Sequence, residues 1–155
     1  MKYETFTQSL FQRLGIKKVY KGTKYISYIL HLLSEDESSI EMLTKRLYRE
    51  TAEKYGTSWT CVEKDIRKII SMIWNISENE ALLKTILCTE SLEKRPTNKD
   101  FLFALYQYTK LQEICSEVLA DYEIDYICPT TGKVCNTCAK IVKEIIKRYK
   151  KELVE

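Results

Sequence analysis

A chain of 155 residues with 45% hydrophobic and 30% charged side chains has globular composition, which excludes a disordered chain, and buries about 70% of its unfolded surface without needing staples. With 4 glycines and 2 prolines, turn residues are too sparse for a β-sandwich or barrel, so an all-α, compact multi-helix domain is expected. Lys and Arg number 25 against 22 acids, a net charge of +3; any affinity for nucleic acid must therefore come from where the charge sits, and the lone histidine, His31, removes most His-based catalysis, so no enzyme is expected.

At the N-terminus, Glu4 and polar neighbours stand where a signal peptide would carry its apolar core, and no later stretch reaches the ~20 apolar residues of a membrane span. A cytoplasmic protein without a membrane partner is expected. Phe6, Leu10 and Leu14 predict a helix over 4–14, stopped at Gly15. Residues 17–24, with four lysines and no acid, read as a basic loop. A second helix follows over 24–33, burying Tyr25, Ile29, Leu32 and Leu33. After the polar break 34–39, Ser39 is the expected N-cap of a helix over 40–55 that turns Ile40, Leu43, Leu47 and Ala52 to a core. Gly56 ends it, and a further helix runs from Ser58 or Trp59 to about Trp74. Ser77-Glu78-Asn79-Glu80 reads as a capping box ahead of Leu82, Leu83, Ile86 and Leu87. Thr97 caps a long helix over 98–120. Beyond Asp121, residues 122–127 alternate weakly as a strand does, 128–135 read as a tight turn or hairpin, and 137–151 form a last helix, basic on one face and apolar on the other. These features divide the chain into a helical domain over 1–120 and a cysteine-containing extension over 121–155.

Ala52, Gly56, Val62 and Ile66 are the informative set. A helix-turn-helix needs a small residue at the crossing, a residue tolerant of positive φ in the turn, and apolar residues locking the second helix onto the first. Ala52 and Gly56 meet the first two needs; Val62, Ile66, Ile69 and Ile73 meet the third. At 100° per residue the opposite face collects Thr60, Lys64, Arg67 and Ser71, with Cys61 and Lys68 on one side and Glu63 on the other. Such a face can reach phosphates and base edges, and it can equally be the solvated side of an amphipathic helix.

Family resemblance bears on that choice. Leu14-Gly15-Ile16, Tyr20-Lys21-Gly22 with Tyr25, Leu43-Thr44-Lys45-Arg46-Leu47-Tyr48, Ala52-Glu53-Lys54-Tyr55-Gly56-Thr57, Val62-Glu63-Lys64 with Ile66-Arg67 and Trp74, and Lys94-Arg95-Pro96-Thr97-Asn98-Lys99-Asp100-Phe101 occur in one order and spacing. Residues 10 to about 110 thereby resemble the C-terminal DNA-binding domain of the stage zero sporulation protein A family. The resemblance implies an all-helical domain that lays its second motif helix in the major groove of double-stranded DNA, often as a tandem pair. It places Glu63, Lys64 and Arg67 on the recognition helix, Thr60 and Lys68 beside them, and a backbone-contacting loop with Lys94, Arg95 and Asn98. The family usually has arginine where this chain has Cys61 and Lys64. Lysine is a point charge and cysteine cannot replace the bidentate fork, so the target sequence is expected to differ. Family members carry an N-terminal receiver domain; with about ten residues before the resemblance, control by a receiver of its own is not expected.

Cys128, Cys135 and Cys138, with Cys115 upstream, admit three readings: a structural zinc site, a redox pair at Cys135 and Cys138, or plain reduced thiols. Cys61 could be a redox-sensitive thiol at the DNA face, and no ligand role is expected for Cys88. The expected function is a sequence-selective DNA-binding transcriptional regulator, as a homodimer or in tandem. The alternative is a protein-interaction module that modulates a full-length regulator of the family, gated by thiol redox or zinc.

Overall fold

The computed structural model describes residues 2–76 and 78–121, except the side chains of Lys2 and of residues 114–121. The described residues form helices joined by turns and loops, with no strand. The chain divides into two compact units, Met1–Tyr108 and Thr109–Glu155. The first holds α1 (Lys2–Arg13), α2 (Lys21–Glu35), a 3-10 segment (Glu37–Met42), a π-helical turn (Leu43–Leu47), α3 (Tyr48–Tyr55), α4 (Trp59–Ile76), α5 (Glu80–Leu87) and the start of α6 (Asn98–Asp121). The extension over 122–155, with its expected strand, turn and last helix, lies outside the described residues, as do Cys128, Cys135 and Cys138.

One core runs through the first unit. Leu14, Ile26, Ile29, Leu30, Leu33, Leu47, Val62, Ile66, Leu102 and Leu105 have no exposed surface. Burying side chains of this kind is worth about 1.5–3 kcal/mol each. The stripes expected on the second helix, on 40–52 and on α4 are all buried. Tyrosines serve the core and its edges: Tyr25, Tyr48 and Tyr106 are buried, and Tyr28 and Tyr55 pack against the cluster. His31 lies 6.4 and 6.2 Å from the rings of Tyr3 and Tyr28 and 3.7 Å from Glu35, as an ordinary helix residue would.

Three expectations need correction. The basic stretch 17–24 is a loop only as far as Tyr20; α2 begins at Lys21 and takes in Gly22 and Thr23, both buried. Close approach is the reason: a Cβ at Gly22 would lie 2.5 Å from the carbonyl oxygen of Asp65 and 2.7 Å from Ile69 Cγ1. The glycine is there to let α2 touch α4, not to make a turn.

The helix expected over 40–55 is a composite, and Ser39 is not its cap. Asp36 accepts from the Ser38 amide at 3.1 Å and hydroxyl at 2.6 Å, while Ser39 donates its hydroxyl to the Asp36 carbonyl at 2.6 Å. These local side-chain bonds compete with an α-helical ladder and leave a tight 3-10 turn in its place. Arg46 then bridges back to Asp36 at 2.5 Å and forward to Glu50 at 2.9 Å, pinning the wider π turn before α3 begins. The third correction is at α5. Its N-cap is Asn79, whose side chain accepts from the Leu82 amide at 3.0 Å, so the cap sits two residues later than a box opened by Ser77.

Candidate nucleic-acid interface

The turn between α3 and α4 is three residues long and is built from its own sequence. Gly56 adopts φ 61 and ψ 44, the left-handed conformation that ends a helix at least cost in a residue without Cβ. Its amide and that of Thr57 return to the carbonyl of Ala52, the latter at 2.9 Å. Ser58 opens α4: its carbonyl accepts from the Cys61 and Val62 amides at 3.0 and 3.1 Å, and its hydroxyl accepts from Cys61 at 3.2 Å. Below the turn, the buried Tyr25 ring packs at a tilt against Tyr55, with centroids 5.1 Å apart. Burial holds the Tyr25 phenol above its ordinary pKa, and the Asp65 carboxylate adds to this.

α4 is 18 residues long, about 27 Å at 1.5 Å per residue. Val62, Ile66, Ile69, Ile70 and Ile73 bury one side. Thr60, Cys61, Lys64, Arg67 and Lys68 are exposed on the other, and Glu63 and Ser71 are half-buried. All the α4 residues singled out in the sequence therefore share one accessible surface. Lys64 and Lys68 have no ion-pair partner among the described residues. Arg67 is paired with Glu63 one turn earlier. Cys61 sits in the first turn, and hydrogen bonding from the Ser58 and Thr57 side chains holds its thiol below the ordinary pKa.

The loop before α6 meets this surface. Thr97 caps α6 as expected, accepting from the Asp100 amide at 3.2 Å and donating to its carboxylate at 2.6 Å. Arg95 donates to the Ser71 hydroxyl at 2.5 Å, so this loop cation lies against α4. Lys94 is exposed on the same loop. Asn98 points inward: its amide nitrogen lies 3.0 Å from the Tyr48 hydroxyl and 3.3 Å from the Glu63 carbonyl. Between loop and helix is a cleft of about 340 Å³ lined by Tyr48, Glu63, Arg67, Arg95, Asn98 and Lys99 among others.

Sequence reasoning missed Tyr48 and the contact role of Ser71, because their partners lie 50 and 24 residues away; the resemblance did pass through Tyr48. Among the described residues no cluster of His, Cys, Asp and Glu could hold a metal ion. Cys115 falls in α6, and its three proposed co-ligands lie outside the described residues. No described helix is long and apolar enough to cross a membrane.

A three-residue turn, an apolar-backed second helix and a cationic outer face define a helix-turn-helix module of the nucleic-acid-binding class. The chain belongs to the family described as sporulation initiation factor Spo0A C terminal, whose profile matches residues 7–109. That family is the DNA-binding domain of a sporulation transcription factor, a response-regulator effector domain and not an enzymatic family.

Proposed function

We propose that this protein is a sequence-selective transcriptional regulator that lays α4 in the major groove of double-stranded DNA, with Lys64, Arg67 and Glu63 at base edges and Thr60, Cys61, Lys68, Lys94 and Arg95 along the flanking backbone. The observation that carries this reading is the two-sidedness of α4: a fully buried isoleucine stripe behind an exposed face holding Lys64, Arg67 and Lys68. A helix about 10–12 Å across fits a groove about 12 Å wide. Lysine at position 64 reaches a guanine edge as a single charge, so base preference at that step should be looser than an arginine would impose.

Selection of bound fragments from a random duplex library, read at two ionic strengths, tests the reading. A recovered motif with binding that falls steeply with salt supports it, since each neutralised phosphate releases counterions. Lys64→Ala should relax the base preference; a variant that binds every fragment as the parent does would show the reading face to be misassigned. Spacing between repeated half-sites in the recovered fragments would report a homodimer or tandem pair. Under the same reading, residues 1–155 bind the selected duplex without phosphorylation, and the protein works where the chromosome is. Structural zinc on Cys115, Cys128, Cys135 and Cys138 is a separate proposal; stoichiometric metal in protein purified under reducing conditions is its test.

A further inference from the structure

We infer that Asn98 is a positioning residue for the DNA-reading helix: its side-chain amide ties the first residue of α6 to the first residue of α3 and to the backbone of α4 at Glu63, and so sets the angle at which Lys64 and Arg67 are presented. The inference rests on the DNA-binding reading above and replaces the expected backbone contact of Asn98 with an indirect role.

Chemistry fixes the orientation of the amide. The Glu63 carbonyl can only accept, so the Asn98 atom 3.3 Å from it must be the NH2 nitrogen. That carbonyl keeps a second lone pair beyond the one its own helix ladder uses. The other amide proton goes to the Tyr48 hydroxyl at 3.0 Å. Both protons are then committed inward. What remains of Asn98 is a carbonyl oxygen, and a phosphate, itself an acceptor, gains nothing from that oxygen. The Asn98 side chain therefore has no spare donor with which to hold the DNA backbone.

The junction is well placed to act at a distance. Glu63 is the residue before Lys64 and is paired through its side chain with Arg67, so a tether on its backbone lies within one helical turn of both. Tyr48 is 2% exposed, so it forms only the floor of the cleft and lies behind the exposed face of α4. Burial holds its phenol above the ordinary pKa, while the bond with Asn98 acts in the opposite direction. The burial of Tyr48 allows a clean test: removing its hydroxyl changes the tether and leaves the DNA-facing surface untouched.

The experiment uses Asn98→Ala, Tyr48→Phe and the double variant. The probes are a duplex recovered by the library selection and a scrambled duplex of equal composition, and amide hydrogen exchange over residues 62–67 is followed in the free protein. Asn98→Ala should weaken the selected duplex about tenfold and Tyr48→Phe about threefold, with the scrambled duplex within about twofold of wild type in both. The double variant should lose no more than Asn98→Ala alone, because both substitutions cut one tether. Exchange over 62–67 should quicken about fivefold in Asn98→Ala. Equal loss on both duplexes in Asn98→Ala would mean a phosphate contact and would overturn the inference. Exchange at the wild-type rate in both single variants would overturn it too. If the wild-type chain prefers no sequence, the DNA-binding reading falls, and exchange alone then decides on the tether. Should Asn98→Ala fail to fold, Tyr48→Phe carries both measurements.

Discussion

Where α4 faces α2, contact is made by hydrocarbon and by backbone brought close at Gly22, with Ile66 and Ile69 sealed behind it. Where α4 faces the loop and first turn of α6, hydrogen bonds take over: Asn98 to the Glu63 carbonyl, and Arg95 to Ser71 beside an open cleft. Hydrophobic contact is strong and non-directional, so the first flank decides whether the helix is held at all. Hydrogen bonds are weaker in net terms but fixed in geometry, so the second flank decides how the helix is turned. A reading helix needs both, and this chain assigns them to opposite sides.

Substitutions can separate the two flanks, and the dry one should give the larger effects. Ile66→Ala removes a side chain with no exposed surface and should cost about 3–4 kcal/mol by urea unfolding, with duplex binding lost only in step with the fold. Gly22→Ala puts a Cβ against the Asp65 carbonyl, so α2 and α4 must separate; a loss of about 2–3 kcal/mol is expected in the same assay. Wild-type stability in Gly22→Ala would show that the crossing is not close-packed.

On the polar flank, stability should barely move and binding should. Glu63→Gln breaks an i,i+4 pair at the surface, worth at most a few tenths of a kcal/mol, and frees Arg67. Affinity for scrambled duplex should rise about two- to threefold, and the salt dependence should steepen by about one phosphate equivalent. An unchanged slope in a salt titration would place the freed Arg67 away from the phosphates. The smallest effect lies away from both flanks, at Asp36. Hydrogen bonding from Ser38, then Arg46, holds its carboxyl below the ordinary value. The unfolded chain thus binds the proton first. The stabilisation is complete above the ordinary carboxylate pKa of about 4 and is lost as pH falls through the lower folded value. Asp36→Asn should flatten that part of the acid limb in a series of thermal melts.

Much of the architecture was legible because it is written in local pattern. The isoleucine stripe of α4, the stop at Gly56 and the Thr97 cap each depend on residues within a turn or two, and each appears where spacing put it. What escaped depends on distant neighbours. Lys21-Gly22 looks like loop until Asp65 is known to lie over it. The segment 37–47 has α-helical spacing, but Asp36 and Ser39 bond to nearby backbone and tighten it. At the interface the exposed set Thr60, Lys64, Arg67 and Lys68 followed from 100° arithmetic alone, whereas the inward turn of Asn98 followed from no spacing, because its partners are 35 and 50 residues away.

The first residue of α4 has a practical consequence. Trp59 stands 39% exposed at the tip of the reading helix, while Trp74, the other of the two tryptophans, is packed against the core. The two indoles therefore report on different events. Emission from Trp59 should quench or shift when a nucleotide surface displaces its water, and emission from Trp74 should hold until the protein melts. A Trp74→Phe variant leaves a single-tryptophan protein in which docking can be followed optically, with excitation beyond the tyrosine band, without attaching a dye.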